Sequence, residues 1–287
     1  MIFAKAHGTG NDFVVLPDPY GELDLTPQLA AALCDRRRGI GGDGVLRVVR
    51  ADRDPDGARM AGDADWFMDY RNADGSIAEM CGNGVRAYAR YLVTSGLMPA
   101  ATARMPIATR AGVVEVEIGP EMITVGLDRP RVGGSGTATV AGSDYPGLTA
   151  DVGNPHLVCP VSDAAALDAL DLGRTPEHSG DGLPAEVNVE FVAPGEPVED
   201  ADTHVHMRVF ERGVGETLSC GSGACAVGAV ALHRIGRRDG VVAVDVPGGR
   251  LTITLNGDRC LLSGPAVVVA TGEVDVTSLL RTAVTTG

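Results

Sequence analysis

Asp69–Leu92 reads DYRNADGSIAEMCGNGVRAYARYL, and Val209–Leu232 reads VFERGVGETLSCGSGACAVGAVAL. Each stretch runs from a β-type segment through a glycine-bearing turn to Cys-Gly-x-Gly, then into a helical pattern. The agreement extends upstream. Gly10-Asn11 precedes the first motif and Gly153-Asn154 the second, with 70 residues from Asn11 to Cys81 and 66 from Asn154 to Cys220. Three features in one order at similar spacing indicate an internal duplication, and predict two related halves that face each other.

Short β-type runs surround these motifs. They are Phe13–Leu16, Val45–Val49, Val113–Ile118, Ile123–Leu127, Val187–Val192, Val205–Phe210, Val241–Val246, Leu251–Leu255 and Ala266–Ala270. Many alternate and are β-branched, as half-buried antiparallel strands are. Helical patterns are fewer: Pro27–Arg36, Asn83–Thr94, Ser162–Leu170 and Ser222–Ile235. Arg131–Gly142 (RVGGSGTATVAG) is glycine-rich and reads as a linker or long turn. These patterns alone support two α+β halves.

Composition narrows the chemistry. The 287 residues carry a formal charge of −14 and 4% aromatics, a poor endowment for binding a phosphate backbone, so no nucleic-acid partner is expected. A hydrophobic content of 44% suffices for a buried core. No apolar run reaches the ~18–20 residues of a membrane span. The Met1 end, MIFAKAHGTGNDF, shows no apolar export segment, so the expectation is a cytoplasmic enzyme without a membrane partner. Lys5 is the only lysine and lacks a phosphate-binding context, which argues against pyridoxal chemistry on a lysine Schiff base. The six cysteines form no C-x-x-C pair, and no H-E-x-x-H stands beside them, so no metal is expected. His204 and His206 read as two ordinary histidines on one strand face. The block GIGGDG at Gly39–Gly44 fits G-x-G-x-x-G literally but has no strand before it and no helix after it, so a nucleotide site is not expected.

The two turns suggest one reaction. A helix start offers N–H groups without intrahelical partners and the positive end of the dipole. Such a site binds a carboxylate and stabilises a thiolate, drawing a cysteine pKa from about 8.5 toward neutral. Two such thiols flanking one carbon would remove a proton from one face and deliver one to the other. A stereocentre would be inverted with no cofactor and no metal. Cys34, Cys159, Cys225 and Cys260 lack this context and read as core residues.

The chain resembles diaminopimelate epimerases. HGTGNDF (His7–Phe13), NADGS (Asn72–Ser76), CGNG (Cys81–Gly84), GNPH (Gly153–His156) and ERGVGET with CGSGAC (Glu211–Cys225) match that family's blocks in order across most of the chain. The resemblance implies an α+β fold of two pseudo-symmetric domains, each a curled, mostly antiparallel, barrel-like sheet around a central helix. The last strand would return to the first domain. The expected division is therefore 1–130 plus 268–287 around Cys81, and 131–267 around Cys220.

The implied reaction interconverts LL- and meso-2,6-diaminopimelate, toward lysine and peptidoglycan precursors, in a cytoplasmic homodimer. Cys81 and Cys220 would be the acid/base pair. Gly82-Asn83 and Gly221-Ser222 would supply helix-start donors for the α-carboxylate. The resemblance places Asn11, Asn72, Asn154, Asn188 and Arg212 on the substrate, with Arg212 as a carboxylate fork. Glu211 has two readings, an acceptor for the reacting ammonium or simply the start of the turn; the resemblance implies the first and pairs it with His156 near the reacting centre. Many family members carry Gln where this chain has Gly44, so that side-chain contact must come from elsewhere. The nearest rival is a proline or hydroxyproline racemase of the same superfamily, which has no distal amino acid end to recognise. A cysteine hydrolase would use one thiol and a histidine, and a non-catalytic anion-binding protein would need neither thiol.

Overall fold

A computed structural model of the chain describes residues 1–180 and 182–284. Strands dominate. The first are β1 (Ile2–Gly8), β2 (Asn11–Pro17), β3 (Gly44–Arg50), β4 (Trp66–Asn72), β5 (Arg104–Thr109), β6 (Gly112–Ile118), β7 (Met122–Asp128), β8 (Arg131–Val140) and β9 (Ser143–Asp151). They are followed by β10 (Pro155–Pro160), β11 (Glu177–Gly180), β12 (Asn188–Pro194), β13 (Thr203–Glu211), β14 (Gly215–Thr217), β15 (Gly240–Val246), β16 (Gly249–Asn256), β17 (Arg259–Pro265) and β18 (Val267–Glu273). The α-helices are α1 (Pro27–Cys34), α2 (Gly82–Thr94), α3 (Ala164–Asp168), α4 (Gly221–Arg234) and α5 (Val276–Val284).

The chain divides into two units. One is Met1–Val125 with the chain from Pro265 onward, and the other is Gly126–Gly264. The passages fall within β7 and at the end of β17, against boundaries at 130/131 and 267/268 expected from sequence. Residues 285–287 of the expected first half lie outside the described residues.

The duplication is written in the strand pairing. In the first unit β18, β1 and β2 pair antiparallel, β2–β3 parallel, β3–β4 antiparallel, β4–β5 parallel, and β5, β6 and β7 antiparallel. In the second unit β8, β9 and β10 pair antiparallel, β10–β12 parallel, β12–β13 antiparallel, β13–β15 parallel, and β15, β16 and β17 antiparallel. The two orders are the same. Each unit also wraps its sheet around one helix. α2 touches β18, β1, β2, β3, β4 and β6, and α4 touches β8, β9, β10, β12, β13, β15 and β16. A helix that meets strands along the whole run of a sheet is enclosed by a curled sheet, so each unit is α+β and barrel-like.

Enclosure explains the composition of these helices. α2 buries Val85, Ala87, Tyr88, Ala89 and Leu92, and with them Arg86. α4 is built mostly from Gly, Ala and Val, because strands approach it from several sides. At Gly228 a Cβ would lie 2.6 Å from Ile253 Cγ2 on β16. The apolar side chains of β15 and β16, among them Val242, Val244, Leu251 and Ile253, complete that core.

The expected linker Arg131–Gly142 is instead the strand β8, paired with β9 and β11. Gly133 and Gly136 are packing devices. The register shifts between Val132 and Ser135, and a Cβ at Gly136 would meet Leu157 Cδ1 at 2.9 Å. Glycine in a strand marks a bulge or a close approach, and both occur here. The expected helix Ser162–Leu170 shortens to α3, capped by Asp163 through the Ala166 N–H at 2.9 Å.

Candidate active site

In each unit a cysteine caps the central helix. Cys81 Sγ accepts from the Gly84 N–H at 3.4 Å, and Cys220 Sγ from the Gly223 N–H at 3.4 Å. Both caps are extended, with φ/ψ of −143/118 and −121/116. A thiol here does the work usually left to Ser, Thr, Asp or Asn, satisfying one of the orphan donors of the first turn. Gly82 and Gly221 are the first residues of α2 and α4, at the open helix ends.

Around Cys81 the first unit gathers amides. Asn11 Oδ1 lies 3.6 Å from Cys81 Sγ and accepts from Asn83 Nδ2 at 3.3 Å. Asn11 Nδ2 donates to Asp43 Oδ2 at 2.7 Å, and Arg36 holds Asp43 Oδ1 at 2.7 Å. Arg86 donates to Asn83 Oδ1 at 2.6 Å and to Thr9 Oγ1 at 3.1 Å. Asn72 sits in its own turn, donating to Ser76 Oγ at 3.0 Å. Gly44 has no room for a side chain. A Cβ there would lie 2.5 Å from the Arg71 carbonyl and 2.7 Å from the Tyr70 ring. The carboxylate of its neighbour Asp43 reaches Asn11 instead. Lys5 is engaged by Asp12 and the Gly41 carbonyl.

Around Cys220 the second unit gathers ionisable groups. Cys220 Sγ lies 3.5 Å from Ser222 Oγ, and the nearby Glu211 carboxylate, whose charge acts on the thiol, accepts from Thr217. His156 Nδ1 meets Glu190 Oε1 at 2.7 Å, and its Nε2 meets Asn154 Oδ1 at 3.1 Å. His156 and Glu190 are both fully buried. Asn188 Oδ1 accepts from the backbone N–H of Arg212 at 3.0 Å. The Arg212 side chain lines a recess of about 810 Å³ with Arg174 and His178.

Electrostatics correct one expectation. Burial pushes the Cys220 thiol well above its ordinary range, and the charges of Glu211 and Glu190 push the same way. The Ser222 hydroxyl and the Gly223 N–H pull it down but are outweighed. The helix start does stabilise a thiolate, yet desolvation and two carboxylates dominate. Burial also raises the Glu211 carboxyl, against the hydrogen bonds from Thr217 and Cys220. Among the described residues all six cysteines are free thiols. Burial carries Cys34 and Cys159 up to about 12, which leaves them inert.

Three residues escaped the sequence reading: Asp43, Arg86 and Glu190. Glu190 had a signal, since a charged residue inside the buried run NVEFVA asks for a partner. One further cluster has metal-type ligands. His204, His206 and Asp245 bring their ligand atoms within 4.8 Å of one another. Arg250 forks both Asp245 oxygens, at 2.5 and 2.8 Å, and already balances that carboxylate. An added dication would meet a guanidinium at close range.

The diaminopimelate epimerase family model matches residues 3–132 and 148–277. The diaminopimelate epimerase of Streptomyces coelicolor is 49% identical over 290 residues, covering 96% of each chain. That of Mycolicibacterium smegmatis is 48% identical, covering 96% of this chain and 97% of its own. Among solved structures, a PhzF-family phenazine biosynthesis protein of Bacillus anthracis superposes with a TM-score of 0.71 at 17% identity, over 96% of this chain and 98% of its own. A probable proline racemase of Agrobacterium radiobacter gives 0.63 at 16% identity, over 96% and 92%. These two structures share the fold of two pseudo-symmetric domains. With two matched segments that take in both cysteine motifs, and near-full-length relatives at almost half identity, the chain belongs to the diaminopimelate epimerase family.

Proposed function

We propose that the protein interconverts LL- and meso-2,6-diaminopimelate without a cofactor, with Cys81 and Cys220 as its proton-transfer groups. The observation that carries this reading is the repeated helix start, a thiol accepting at 3.4 Å from the N–H three residues on, in both units. Inversion needs a proton to leave one face of the α-carbon and another to arrive at the opposite face. One thiolate takes the first and the other thiol gives the second, and the roles exchange with direction. Charge developing on the α-carboxylate in the carbanionic transition state is met by the N–H groups of Gly82-Asn83 and Gly221-Ser222.

The remaining residues divide by chemistry. Asn11, Asn72, Asn154 and Asn188 offer donors and acceptors to the two amino acid ends. Arg212 forks the distal carboxylate. Glu211 and His156 serve the reacting centre, Glu211 as an acceptor for the reacting ammonium. The reading places the enzyme in the cytoplasm as a homodimer, ahead of lysine and peptidoglycan precursors. Its support is the similarity to relatives named diaminopimelate epimerase.

The test is α-proton exchange in D₂O under reductant, followed by NMR and chiral chromatography, for LL-diaminopimelate and separately L-proline. Exchange and epimerisation of diaminopimelate alone, lost in both Cys81→Ala and Cys220→Ala, is the expected result. Turnover of proline would replace the substrate and keep the thiols. No exchange with either substrate in folded, reduced protein would overturn the reading.

A further inference from the structure

The two half-sites superpose residue for residue in their strand registers. Phe13 pairs with Gly44 across β2–β3, and His156 with Asn188 across β10–β12. Two residues further along β3 stands Leu46, and two further along β12 stands Glu190. The helix above each pair approaches it through a glycine. At Gly84 a Cβ would lie 3.4 Å from Leu46 Cδ2 and 3.6 Å from Phe13 Cζ. At Gly223 a Cβ would lie 2.7 Å from Glu190 Oε1. The floor beneath Cys81 is thus the apolar pair Phe13/Leu46, whereas the floor beneath Cys220 is the ionisable pair His156/Glu190.

We infer that Glu190 is a positioning residue that breaks the symmetry of the two thiols: it fixes the His156 ring and, from beneath the start of α4, keeps Cys220 in its S–H form. The inference rests on the reading of Cys81 and Cys220 as proton-transfer groups.

The cost of the arrangement argues that it is not incidental. The first unit solves the same packing problem with Phe and Leu and no buried charge. The second buries a carboxylate completely, gives Oε1 to His156 at 2.7 Å, and leaves Oε2 without a hydrogen-bond partner among the described residues. A buried, half-satisfied carboxylate is unfavourable for stability and persists where it serves another purpose.

The effect on Cys220 follows from its surroundings. Its charged and titratable neighbours are Glu211 at the end of β13, Glu190 on β12 and His156 on β10, while β8, β9, β15 and β16 face α4 with apolar side chains such as Val132, Ala150, Val244 and Ile253. A thiolate at Cys220 would lie between two carboxylates. Both push its thiol up, in addition to burial. Cys81 has an amide oxygen and a backbone N–H at its sulfur. The carboxylates beside Cys220 thus favour its S–H form in the resting enzyme. Glu190 Oε1 and His156 Nδ1 share a hydrogen bond, which sets the ring so that Nε2 faces Asn154.

The experiment is site-resolved alkylation of the full-length, reduced protein. Iodoacetamide is pulsed from about pH 6 to pH 10, and peptide mass spectrometry reads Cys81 and Cys220 separately. In the unaltered protein Cys220 should react slowly through the neutral range. Glu190→Gln should move the Cys220 profile down, about tenfold faster at a fixed pH on the rising limb, and leave Cys81 in place. Glu190→Asp, which keeps the charge, should restore most of the original Cys220 profile. Should Glu190→Gln not fold, the double variant His156→Phe/Glu190→Leu carries the test, since that pair already packs under the other helix. An unmoved Cys220 profile, or Cys81 and Cys220 moving together, overturns the inference. Diaminopimelate exchange is assayed on the same samples. Inactive, folded, unaltered protein with the expected alkylation shifts would refute the proposed reaction and leave the unequal thiols standing.

Discussion

Asn11 donates a side-chain N–H to Asp43 at 2.7 Å, and this bond decides which end of the amide Cys81 meets. A carboxylate only accepts, so Oδ1 is the end left for Cys81 and Asn83. Arg86 only donates, and it fixes the Asn83 amide from the other side at 2.6 Å. From Arg86 through Asn83 and Asn11 to Asp43 the hydrogen bonds run one way. Asp43→Asn breaks that polarity, because an amide at 43 can offer an N–H and let Asn11 turn over. Cys81 should then meet a donor and alkylate roughly tenfold faster at neutral pH, with a lower kcat. An unchanged rate of Cys81 alkylation would show that Asp43 does not set the amide.

Asn188 and Arg212 form one mechanical unit, since the Asn188 side chain accepts from the Arg212 backbone N–H at 3.0 Å. A charge-assisted fork is worth about 1.5–3 kcal/mol, so Arg212→Ala should raise KM for diaminopimelate about 10- to 100-fold and lower kcat less. Asn188→Ala should raise KM by loosening the same turn. The double variant should then cost less than the sum of the two. Strict additivity in steady-state kinetics would mean that Asn188 acts on substrate independently of Arg212.

Asp12 links acid stability to the loop after α1. Burial alone would raise its carboxyl, but hydrogen bonds from Arg36 and Lys5 outweigh that and hold it at about 2, below the ordinary 3.8. A depressed carboxyl contributes stability that is complete above its ordinary pKa and vanishes as pH falls through the folded value. Asp12→Asn should therefore lower the urea midpoint at neutral pH, and the gap should close between about pH 4 and about pH 2. A gap of constant size over that window would refute the assignment.

Gly228 is where β16 presses closest on α4. Alanine there gains about 1 kcal/mol of helix propensity, but it would drive a methyl to 2.6 Å from Ile253 Cγ2. Overpacking of this kind costs about 1–3 kcal/mol, so a net loss is expected in chemical denaturation. Ile253→Leu in the same chain, which removes the β-branch methyl, should recover part of it. Equal or greater stability for Gly228→Ala alone would show that the strand yields freely.

Both thiols were legible in the sequence because capping is local. A cysteine followed by glycines and a helical pattern has to begin that helix, and both cysteines do. The residues that tune the thiols were not legible, because their contacts are made by strand pairing. His156 and Glu190 lie 34 positions apart and meet only because β10 and β12 run parallel in register. Asn11 and Asp43 are separated by 32 positions. The expectation of a lowered thiol at Cys220 failed for the same reason, since the sequence displays the helix N–H groups and hides the carboxylates. The glycines of β8 misled because a chain's flexibility and its need for close packing call for the same residue.

The strand that completes the first unit, β18, follows the whole of the second unit in sequence, and it pairs with β1. The Met1 ammonium donates to the Val274 carbonyl at 2.8 Å, across 273 positions. Gly126–Gly264, by contrast, is continuous, and all its strands are in hand while β1 still waits. During synthesis the second unit can therefore be complete while the first still lacks a strand, the reverse of the usual order of emergence. Until β18 emerges, β1 carries an unpaired edge, the feature through which nascent chains join one another.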